Sequence, residues 1–403
     1  MAHRSSAAVD DRGSGFRVLS LGYTLDLWQD PALAPGDPLQ ALPRCDESLI
    51  SFTLIAHSRH TDNAKPKRLG KNSRAYATNA YTLVDSWLRM FRLGRRVARR
   101  QGIDLVHVRE PLFNGSIGYV LSRWLRTPLS VCVYGTNPFG PWGKESWLHR
   151  LVSPLARAFL RKADGVQVDG SATARSLASA GICAERIAIS PLIPSNLSDF
   201  LVSERDPELR DNLCEGGRYE RLILFVGRIA PEKNLELLLE AASRLAAGHP
   251  AVRFILVGDG PCRPALESYS RERGLSQTVH WAGARSHGEV VKYMATCDVF
   301  VLCSRWEGFA RVLMEAAMGG MPIVTTDVSG SDDAVVDGET GYIVPVGDVA
   351  GFARSLSDLV SHPERAAEMG RRARQHMQNF VDRYKDPRLQ VRIWQRVLSN
   401  RQA

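Results

Sequence analysis

The chain of 403 residues lacks several features that would assign it to a specialised class. It contains no run of eighteen apolar residues, which argues against a membrane-spanning helix. The first fifteen residues are polar and include no apolar segment of the kind found in signal peptides, so we expect no export by that route. The seven cysteines include no Cys-x-x-Cys pair. This argues against a disulfide framework or a zinc site and suits a cytoplasmic protein.

The composition is that of an ordinary globular protein. Hydrophobic residues make up 44% of the chain and charged residues 24%, which argues against disorder, collagen and coiled coil. Because a chain of this length exceeds what one hydrophobic core usually holds, we expect two domains.

The net charge of +9 is unevenly distributed. Residues 59–100 contain twelve Lys and Arg but only two Asp, and residues 364–403 contain ten Lys and Arg against four Asp and Glu. Since no recognised base-reading motif accompanies the basic segments, we expect no nucleic-acid partner. Within residues 87–100, apolar and arginine residues alternate at helical spacing. This pattern fits either a helix lying on an anionic membrane or a core helix with an arginine face.

Short apolar segments alternate with helical patterns and form two series. The first series of predicted strands contains Phe16–Leu21, Ile103–Val108, Pro128–Val133 and Gly165–Val168. The second contains Arg221–Val226, Val252–Val257, Thr278–Trp281, Val299–Leu302, Pro322–Thr325 and Gly341–Val344. Near-continuous apolar strands separated by helices are typical of parallel sheets covered on both faces. The sequence therefore predicts an α/β protein with two doubly wound domains.

The polar stretch Pro194–Glu220 separates the two series and is the predicted domain boundary. We place the first domain at residues 1–200 and the second at residues 201–383. In the first domain, Trp28–Arg44 contains four prolines and is expected to be an irregular loop. Arg59–Ala80 is polar, has no clear period and is expected to be mobile.

A first candidate site follows the predicted strand that ends at Val226. Gly227 ends this strand, Arg228 and Lys233 lie in the loop, and a helix begins near Asn234. Two cations beside a helix N-terminus suit a diphosphate, because Arg contacts two phosphate oxygens at once and Lys adds a point charge. A charged surface turn is the alternative.

A glycine-rich turn follows the predicted strand that ends at Val257. Gly258 and Gly260 either let the backbone approach a nucleotide closely or simply form a tight turn between strand and helix. The turn lacks the third glycine of a dinucleotide-binding motif.

Two carboxylates, Glu307 and Glu315, lie eight residues apart beside a helix predicted to begin near Phe309. Such a spacing places them on roughly the same face, with free N–H groups available to an anion. The alternative is that both are solvated carboxylates on a helix surface. The apolar residues around them instead favour a binding partner for each carboxylate. The next segment, from Gly319 to Thr326, reads as a helix end followed by a buried strand.

Taken in order, these four segments resemble the retaining glycosyltransferases of family 4. The resemblance is carried by Gly227-Arg228…Lys233-Asn234, Val257 to Pro261, Glu307-Gly308-Phe309…Glu315-Ala316, and Gly319 to Pro322. It covers residues 222–348 strongly and the N-terminal half more loosely. It implies the GT-B fold, in which two Rossmann-like domains face each other across a cleft and a C-terminal segment, here about residues 384–403, packs back on the first domain.

The resemblance also implies roles for individual residues. A nucleotide-sugar donor is bound by the second domain, with Arg228 and Lys233 on its diphosphate, Glu307 on the transferred sugar and Glu315 on the ribose. The residues expected to contact the donor are Arg228, Lys233, Gly258, Gly260, Gly308, Phe309, Val312, Leu313 and Glu315. The acceptor approaches from the first domain. Neither a metal ion nor another cofactor is expected, because cationic side chains and a helix end take that place.

Two positions depart from the family pattern. Where members often carry a histidine after the strand ending at Val133, this chain has Tyr134, which we count among the catalytic candidates with Glu307, Arg228 and Lys233. With a pKa near 10, a tyrosine is a poor base at neutral pH. Members also often have adjacent glycines after the first strand, where this chain has only Gly22; Asp26 nearby is a candidate acceptor base or a helix cap.

Three functional hypotheses follow from the sequence. The first is sugar transfer to a lipid-linked or oligosaccharide acceptor of the cell envelope or an exopolysaccharide, at the inner face of the plasma membrane, with residues 59–100 on anionic lipid. The second is a sugar-nucleotide epimerase of the same architecture, which needs no acceptor. The third is a non-catalytic, membrane-associated protein that binds the nucleotide-sugar, a reading supported by Tyr134.

Overall fold

The computed structural model describes residues 15–22, 49–58, 65–69, 72–135, 137–140, 143, 147–201 and 203–400. The predicted loop Trp28–Arg44 and the candidate base Asp26 lie outside the described residues. Among the described residues, no helix is long and apolar enough to cross a membrane.

The first sheet contains eight strands in the order β3-β4-β2-β1-β5-β6-β7-β8. The strands are β1 Phe16–Gly22, β2 Leu49–Ala56, β3 Lys67–Arg68, β4 Ser73–Ala77, β5 Leu105–Val108, β6 Leu129–Val133, β7 Gly165–Val168 and β8 Ile187–Ile189. The pairings from β4 through β2, β1 and β5 to β6 are parallel, and the short edge strand β3 pairs antiparallel with β4. Its helices are α1 Leu83–Gln101, α2 Phe113–Leu125, α3 Trp147–Arg161 and α4 Ser171–Ser179.

The second sheet is fully parallel, with six strands in the order β11-β10-β9-β12-β13-β14. These are β9 Arg221–Val226, β10 Val252–Val257, β11 Val279–Gly283, β12 Val299–Leu302, β13 Ile323–Thr326 and β14 Gly341–Val344. The remaining helices are α5 Pro207–Cys214, α6 Leu235–Ala246, α7 Arg263–Glu272, α8 His287–Thr296, α9 Arg311–Met318, α10 Ser331–Ala334, α11 Val349–Ser361, α12 Pro363–Tyr384 and α13 Leu389–Ser399. The prediction of two parallel α/β sheets is confirmed.

One strand of the first sheet lies in a segment that shows no clear period in the sequence. Within Arg59–Ala80, Ser73–Ala77 forms β4 and pairs in parallel with β2; the expected mobility of the segment stays a prediction. Only one face of this strand is apolar enough to be buried: Ala75 is fully buried, whereas Arg74 is exposed. A five-residue strand with one apolar side chain directed inward has too little periodicity to be found from the sequence. The apolar strand β2 is also absent from the predicted strands.

The chain forms two compact units whose segments interleave. The first is built from the described residues within Met1–Val133, Leu151–Gln167 and Pro387–Ala403, and the second from those within Tyr134–Arg150 and Val168–Asp386. The core of the second unit lies around β9, β10, β12 and β13. The predicted domain boundary at residue 200 stays a prediction.

The C-terminal helix α13 belongs to the first unit and completes its core. Trp394 is fully buried, stacks on Phe52 with 6.0 Å between the ring centres and meets the edge of Phe16 at 6.5 Å. Its indole Nε1 donates a hydrogen bond of 3.3 Å to Nδ1 of His107. Burial, assisted by Arg109, lowers the pKa of His107 to about 3. The imidazole is therefore neutral and able to accept this bond.

Candidate active site

The predicted site residues of the second unit gather at the carboxyl edge of the six-stranded sheet. Arg228 and Lys233 follow β9, Gly258 and Gly260 follow β10, and Glu307 to Phe309 follow β12. Because β10, β9 and β12 are neighbours in a parallel sheet, their carboxyl ends bring these loops to one edge. Ligands of open α/β sheets bind at this edge.

Lys233 and Glu307 form a largely buried ion pair at this edge. The ammonium Nζ of Lys233 lies 2.5 Å from Oε1 of Glu307, and the side chains are only 16% and 13% exposed. The hydroxyl of Ser304 donates a second hydrogen bond of 2.6 Å to the same oxygen. Such charge-assisted bonds in a low-dielectric setting hold the carboxylate in one orientation.

The local backbone explains how residues 74 positions apart meet. A 3₁₀ turn, Pro231–Lys233, ends at Asn234 in the left-handed conformation (φ 52°), which turns the chain into α6. The N–H of Arg305 donates to the carbonyl of Glu232 at 2.8 Å, and its Nε donates to Oδ1 of Asn234 at 3.2 Å. These bonds join the loop after β9 to the loop after β12.

Arg228 is exposed, unlike Lys233. Within the described part of the chain its guanidinium has no ion pair, so its five donors remain available to an anion. The following residue, Ile229, is buried, and its N–H donates to the carbonyl of Asp259 at 2.9 Å. A rigid backbone thus carries a cation that is directed to solvent.

Gly258 and Gly260 are required by contact between two loops. A Cβ on Gly258, where φ is +141°, would lie 1.9 Å from the carbonyl oxygen of Gly227, and one on Gly260 would lie 2.3 Å from that of Ile229. Any side chain at these positions would push the loops after β9 and β10 apart. The two glycines therefore let the backbone of their turn pack closely against the neighbouring loop. Their contact with a nucleotide stays a prediction.

The start of α9 offers unpaired N–H groups. Within the described residues, the backbone N–H groups of Gly308, Phe309 and Val312 have no intramolecular hydrogen-bond partner, whereas that of Leu313 donates to Ala310 at 2.9 Å. The side chain of Leu313 is fully buried in the core. An anion at this helix end would therefore be bound by backbone donors and not by the Val312 and Leu313 side chains.

Glu315 lies in the second turn of α9 and is partly buried. Burial raises the pKa of its carboxyl, and the nearby Arg311 opposes that effect. No hydrogen bond to this carboxylate occurs within the described part of the chain. A partly desolvated carboxylate with free lone pairs is a ready acceptor for hydroxyl groups.

Tyr134 follows β6 and is half-buried. The next residue, Gly135, donates its N–H to Oδ2 of Asp169 at 2.9 Å. Gly135 and Gly308 touch through backbone, since a Cβ on either would lie 3.0 to 3.1 Å from the Cα of the other. Within the second unit, Tyr134 is therefore attached to a loop that contacts the loop carrying Glu307.

The N-terminus of α4 is occupied by a carboxylate of the protein. Oδ2 of Asp333 accepts the N–H of Ser171 at 2.9 Å, and Oδ1 accepts its hydroxyl at 2.6 Å. Burial raises the pKa of Asp333 and these two bonds oppose that effect. Because this helix end is already neutralised, the start of α9 is the better anion site in the second unit.

A pocket of about 200 Å³ lies within the second unit. Its walls come from the loops after β6, β12 and β13 and from α4, and they consist of Gly135, Asn137, Gly140, Ala172, Thr173, Ser176, Arg305, Trp306, Glu307, Gly308, Asp327, Val328 and Ser329. Among the predicted site residues, only Glu307 and Gly308 line it. Pockets for drug-sized ligands measure about 300–1,000 Å³, so this one suits part of a nucleotide-sugar.

Comparison with known families decides the identity of the chain. Residues 217–376 match the family of glycosyl transferases group 1, and residues 2–192 match the glycosyl transferase 4-like domain. The chain belongs to the group 1 glycosyltransferases. The family resemblance seen in the sequence is thereby confirmed.

Curated relatives of this glycosyltransferase include two hexosyltransferases. The alpha-D-kanosaminyltransferase of Streptomyces kanamyceticus is 31% identical over 261 residues, which span 63% of this chain and 67% of that protein. The GDP-mannose-dependent alpha-mannosyltransferase of Mycobacterium tuberculosis is 32% identical over 268 residues, 64% of each chain. A glycogen synthase of the same organism is matched over only 39% of its length.

Solved structures share the fold of the glycosyltransferase. Anabaena HepE in complex with UDP superposes with a TM-score of 0.67 at 18% identity, covering 92% of this chain and 97% of that one. The sucrose-phosphate synthase of Thermosynechococcus elongatus gives a TM-score of 0.70 at 18% identity, covering 95% and 99%. At this identity the likeness shows the fold alone, and the predicted GT-B fold is confirmed.

Three site residues of the glycosyltransferase were not predicted: Ser304, Asp169 and Asp333. Asp169 directly follows β7 and Ser304 lies two residues after β12, so the rule that sites form at the carboxyl ends of parallel strands would have pointed to both. Asp333 carries no such signal, because its partner Ser171 is 162 residues away. Among the described residues, no group of three or more His, Cys, Asp or Glu is placed to hold a metal ion; metal independence stays a prediction.

Asp169 makes the stability of the glycosyltransferase depend on pH. Burial, with a smaller contribution from Asp333, raises the pKa of Asp169 from 3.8 to about 6 against the opposing hydrogen bond from Gly135. Between these two pH values the folded state keeps a proton that the unfolded state has released, so stability falls as pH rises through this window.

We expect Asp169→Asn to remove this dependence, because the amide is neutral at every pH and its oxygen still accepts the Gly135 N–H. The free energy of unfolding of the variant should exceed that of the wild type by roughly 1–3 kcal/mol above pH 6 and by little near pH 4. Urea denaturation of both proteins across this range measures the difference. A difference that does not change with pH would contradict the assignment.

Proposed function

We propose that this glycosyltransferase moves a sugar from a nucleotide-diphosphate sugar to a lipid-linked or oligosaccharide acceptor of the cell envelope or an exopolysaccharide, with retention of anomeric configuration. The ion pair of Lys233 with Glu307 carries the proposal, because it sets a cation and an orienting carboxylate at the edge of the sheet where ligands bind. The names of the relatives agree: one is GDP-mannose-dependent, and HepE was solved with UDP.

The reaction needs positive charge where the diphosphate leaves. When the bond between the anomeric carbon and the diphosphate breaks, its electron pair goes to the diphosphate oxygen. Arg228, the remaining donors of the Lys233 ammonium and the free N–H groups at the start of α9 supply fixed positive charge for it, without a metal ion. Such preorganised charge is worth most in the transition state.

The two carboxylates take the hydroxyl groups of the donor. Glu307 lines the pocket and orients the transferred sugar, while Glu315, one helical turn inside α9, accepts the ribose hydroxyls. Retention requires the acceptor hydroxyl to attack from the face that the diphosphate leaves, and its proton passes to the departing diphosphate oxygen. Tyr134 stands on the loop that contacts Gly308, and its hydroxyl donates one hydrogen bond there.

We place the reaction at the cytoplasmic face of the plasma membrane. All the cysteines that the structure describes are free thiols, as in a reducing compartment. The basic segment 59–100 supports contact with anionic lipid, because six arginines lie on α1. A lipid-linked acceptor would be presented at such a surface.

A panel of nucleotide-sugars tests the proposal. A donor that binds only the folded state stabilises it by about 2.7 kcal/mol at a hundred times its Kd, so one UDP-, GDP- or ADP-sugar should raise the Tm. NMR with acceptor extracts then follows the sugar. Transfer only when acceptor is present supports the proposal, whereas epimerised free donor without acceptor identifies an epimerase. Binding without turnover identifies a non-catalytic binding protein. If no nucleotide-sugar binds, all three functional hypotheses are contradicted.

A further inference from the structure

Helix α3 exposes an apolar stripe to solvent. Within the first unit, Leu151 and Leu155 are 68% and 51% exposed, and their spacing of four residues places them on one face of the helix. The solvent face of an amphipathic helix is normally polar. Two large apolar side chains in a row on that face therefore call for something that covers them.

The same helix carries only positive charge. Within the first unit, residues 151–162 contain Arg157, Arg161 and Lys162 and no acidic residue. Arg161 and Lys162 are exposed. An apolar stripe with cations beside it is complementary to a partner that is apolar within and anionic at its surface.

Helix α1 repeats this combination along its length. Leu83, Val84 and Leu88 are exposed in its N-terminal half, and Arg92 and the arginines at positions 96, 99 and 100 are exposed in its C-terminal half. Its one acidic residue, Asp85, is 2.8 Å from Arg89. Asp85 also interacts electrostatically with Arg92, whereas the arginines at positions 96, 99 and 100 lie about three helical turns or more from it.

Helix α2 lies between α1 and α3 and joins them into one surface. Nε1 of Trp87 on α1 donates to the hydroxyl of Ser116 on α2 at 3.0 Å. On the other side, the rings of Tyr119 and Phe159 lie 5.5 Å apart. Trp124 of α2 is also exposed, and the guanidinium of Arg95 sits 4.8 Å from its ring centre. We call the exposed residues of these three helices the three-helix surface.

We propose that the three-helix surface binds an anionic phospholipid bilayer, with the α3 stripe at the level of the headgroups and the arginines on the phosphates. Trp and Leu beside Arg are the residues of interfacial helices. A nucleic acid would use the arginines but leaves the Leu and Val side chains without a role. The inference rests on the proposed function, since it names the partner that would present a lipid-linked acceptor, and it extends the segment expected from the sequence to α2 and α3.

Vesicle flotation of the full chain tests the proposal without any sugar transfer. The wild type should float with vesicles of phosphatidylcholine and phosphatidylglycerol and stay below with pure phosphatidylcholine, and added salt should weaken the binding. A variant with Leu151→Ser and Leu155→Ser should lose at least about tenfold in partition coefficient. A second variant, with Arg92→Glu, Arg96→Glu and Arg99→Glu, should lose the preference for anionic vesicles.

A matched control changes an exposed valine and two exposed arginines elsewhere, Val346→Ser with Arg371→Glu and Arg372→Glu, and should bind like the wild type. Circular dichroism melts of all variants check that they fold. Equal flotation with both kinds of vesicle, or unchanged flotation of the stripe variant, overturns the proposal, as does binding to RNA without binding to vesicles. Donor turnover by a protein that does not float would overturn this inference and leave the proposed function standing.

Discussion

Replacing Lys233 by alanine is expected to lower kcat/KM for sugar transfer by about 10²–10³-fold, the usual cost of removing one preorganised group that stabilises transition-state charge. The ammonium is held 2.5 Å from Glu307 and is only 16% exposed. Without it, the departing diphosphate loses a fixed cation, and Glu307 loses one of the two donors that orient it.

The measurement is the initial rate of acceptor glycosylation with the donor found in the binding panel. Lys292→Ala is the matched control, because Lys292 is exposed and its ammonium lies 3.4 Å from Asp206. It should transfer sugar at the wild-type rate. An activity of Lys233→Ala within about threefold of the wild type would exclude Lys233 from the reaction.

A double-mutant cycle separates a shared role from two independent ones. If Lys233 and Glu307 act as one unit, Lys233→Ala combined with Glu307→Gln should lose hardly more activity than the worse single variant. If the losses multiply, the two residues contribute independently and their ion pair adds nothing to catalysis. The thermal midpoints of all three variants should match that of the wild type, which shows that the losses of activity do not come from unfolded protein.

Replacing Trp394 by alanine is expected to lower the free energy of unfolding by about 3–5 kcal/mol, the usual cost of removing a buried tryptophan. Trp394 is fully buried in the first unit and stacks on Phe52. The substitution leaves a large cavity under β1 and β2 and removes the N–H that His107 accepts. Urea denaturation followed by circular dichroism should show an earlier transition.

Two further variants define the cause of this loss. Trp394→Phe keeps a ring on Phe52 but lacks the N–H, so it should recover a large part of the stability and remain about 1 kcal/mol below the wild type. Trp147→Ala removes a tryptophan that is 77% exposed and should change stability by no more than about 0.5 kcal/mol. If Trp394→Ala is as stable as Trp147→Ala, the C-terminal helix does not contribute to the core of the first unit.

Many strands, and the site residues that follow them, could be predicted from local sequence patterns. The strands β7, β9, β10, β12 and β14 have the bounds predicted for them, because a strand of a covered parallel sheet is a mostly continuous apolar run. Since sites of open α/β sheets form at those ends, the residues after β9, β10 and β12 were found together with the strands.

Other features depend on contacts between distant residues. The polar strand β4 exists because β2 offers it a partner, and its own five residues carry too little periodicity to predict it. The partner of Glu307 is 74 residues away, and the partner of Asp333 is 162 residues away. Neither separation corresponds to a helix or strand period, so neither pair could be predicted from the local sequence around one of its residues.

The amino-acid sequence by itself determined the two parallel sheets, the family, and the edge at which the candidate site lies, because alternation, apolar runs and strand ends are local properties of a chain. Only the tertiary structure decided that Lys233 is held by Glu307 and that Gly258 and Gly260 face a neighbouring loop. It also decided that Trp394 is buried while Trp147 is exposed. Both tryptophans lie in helices of similar amphipathic pattern, and burial is settled by what packs against each helix.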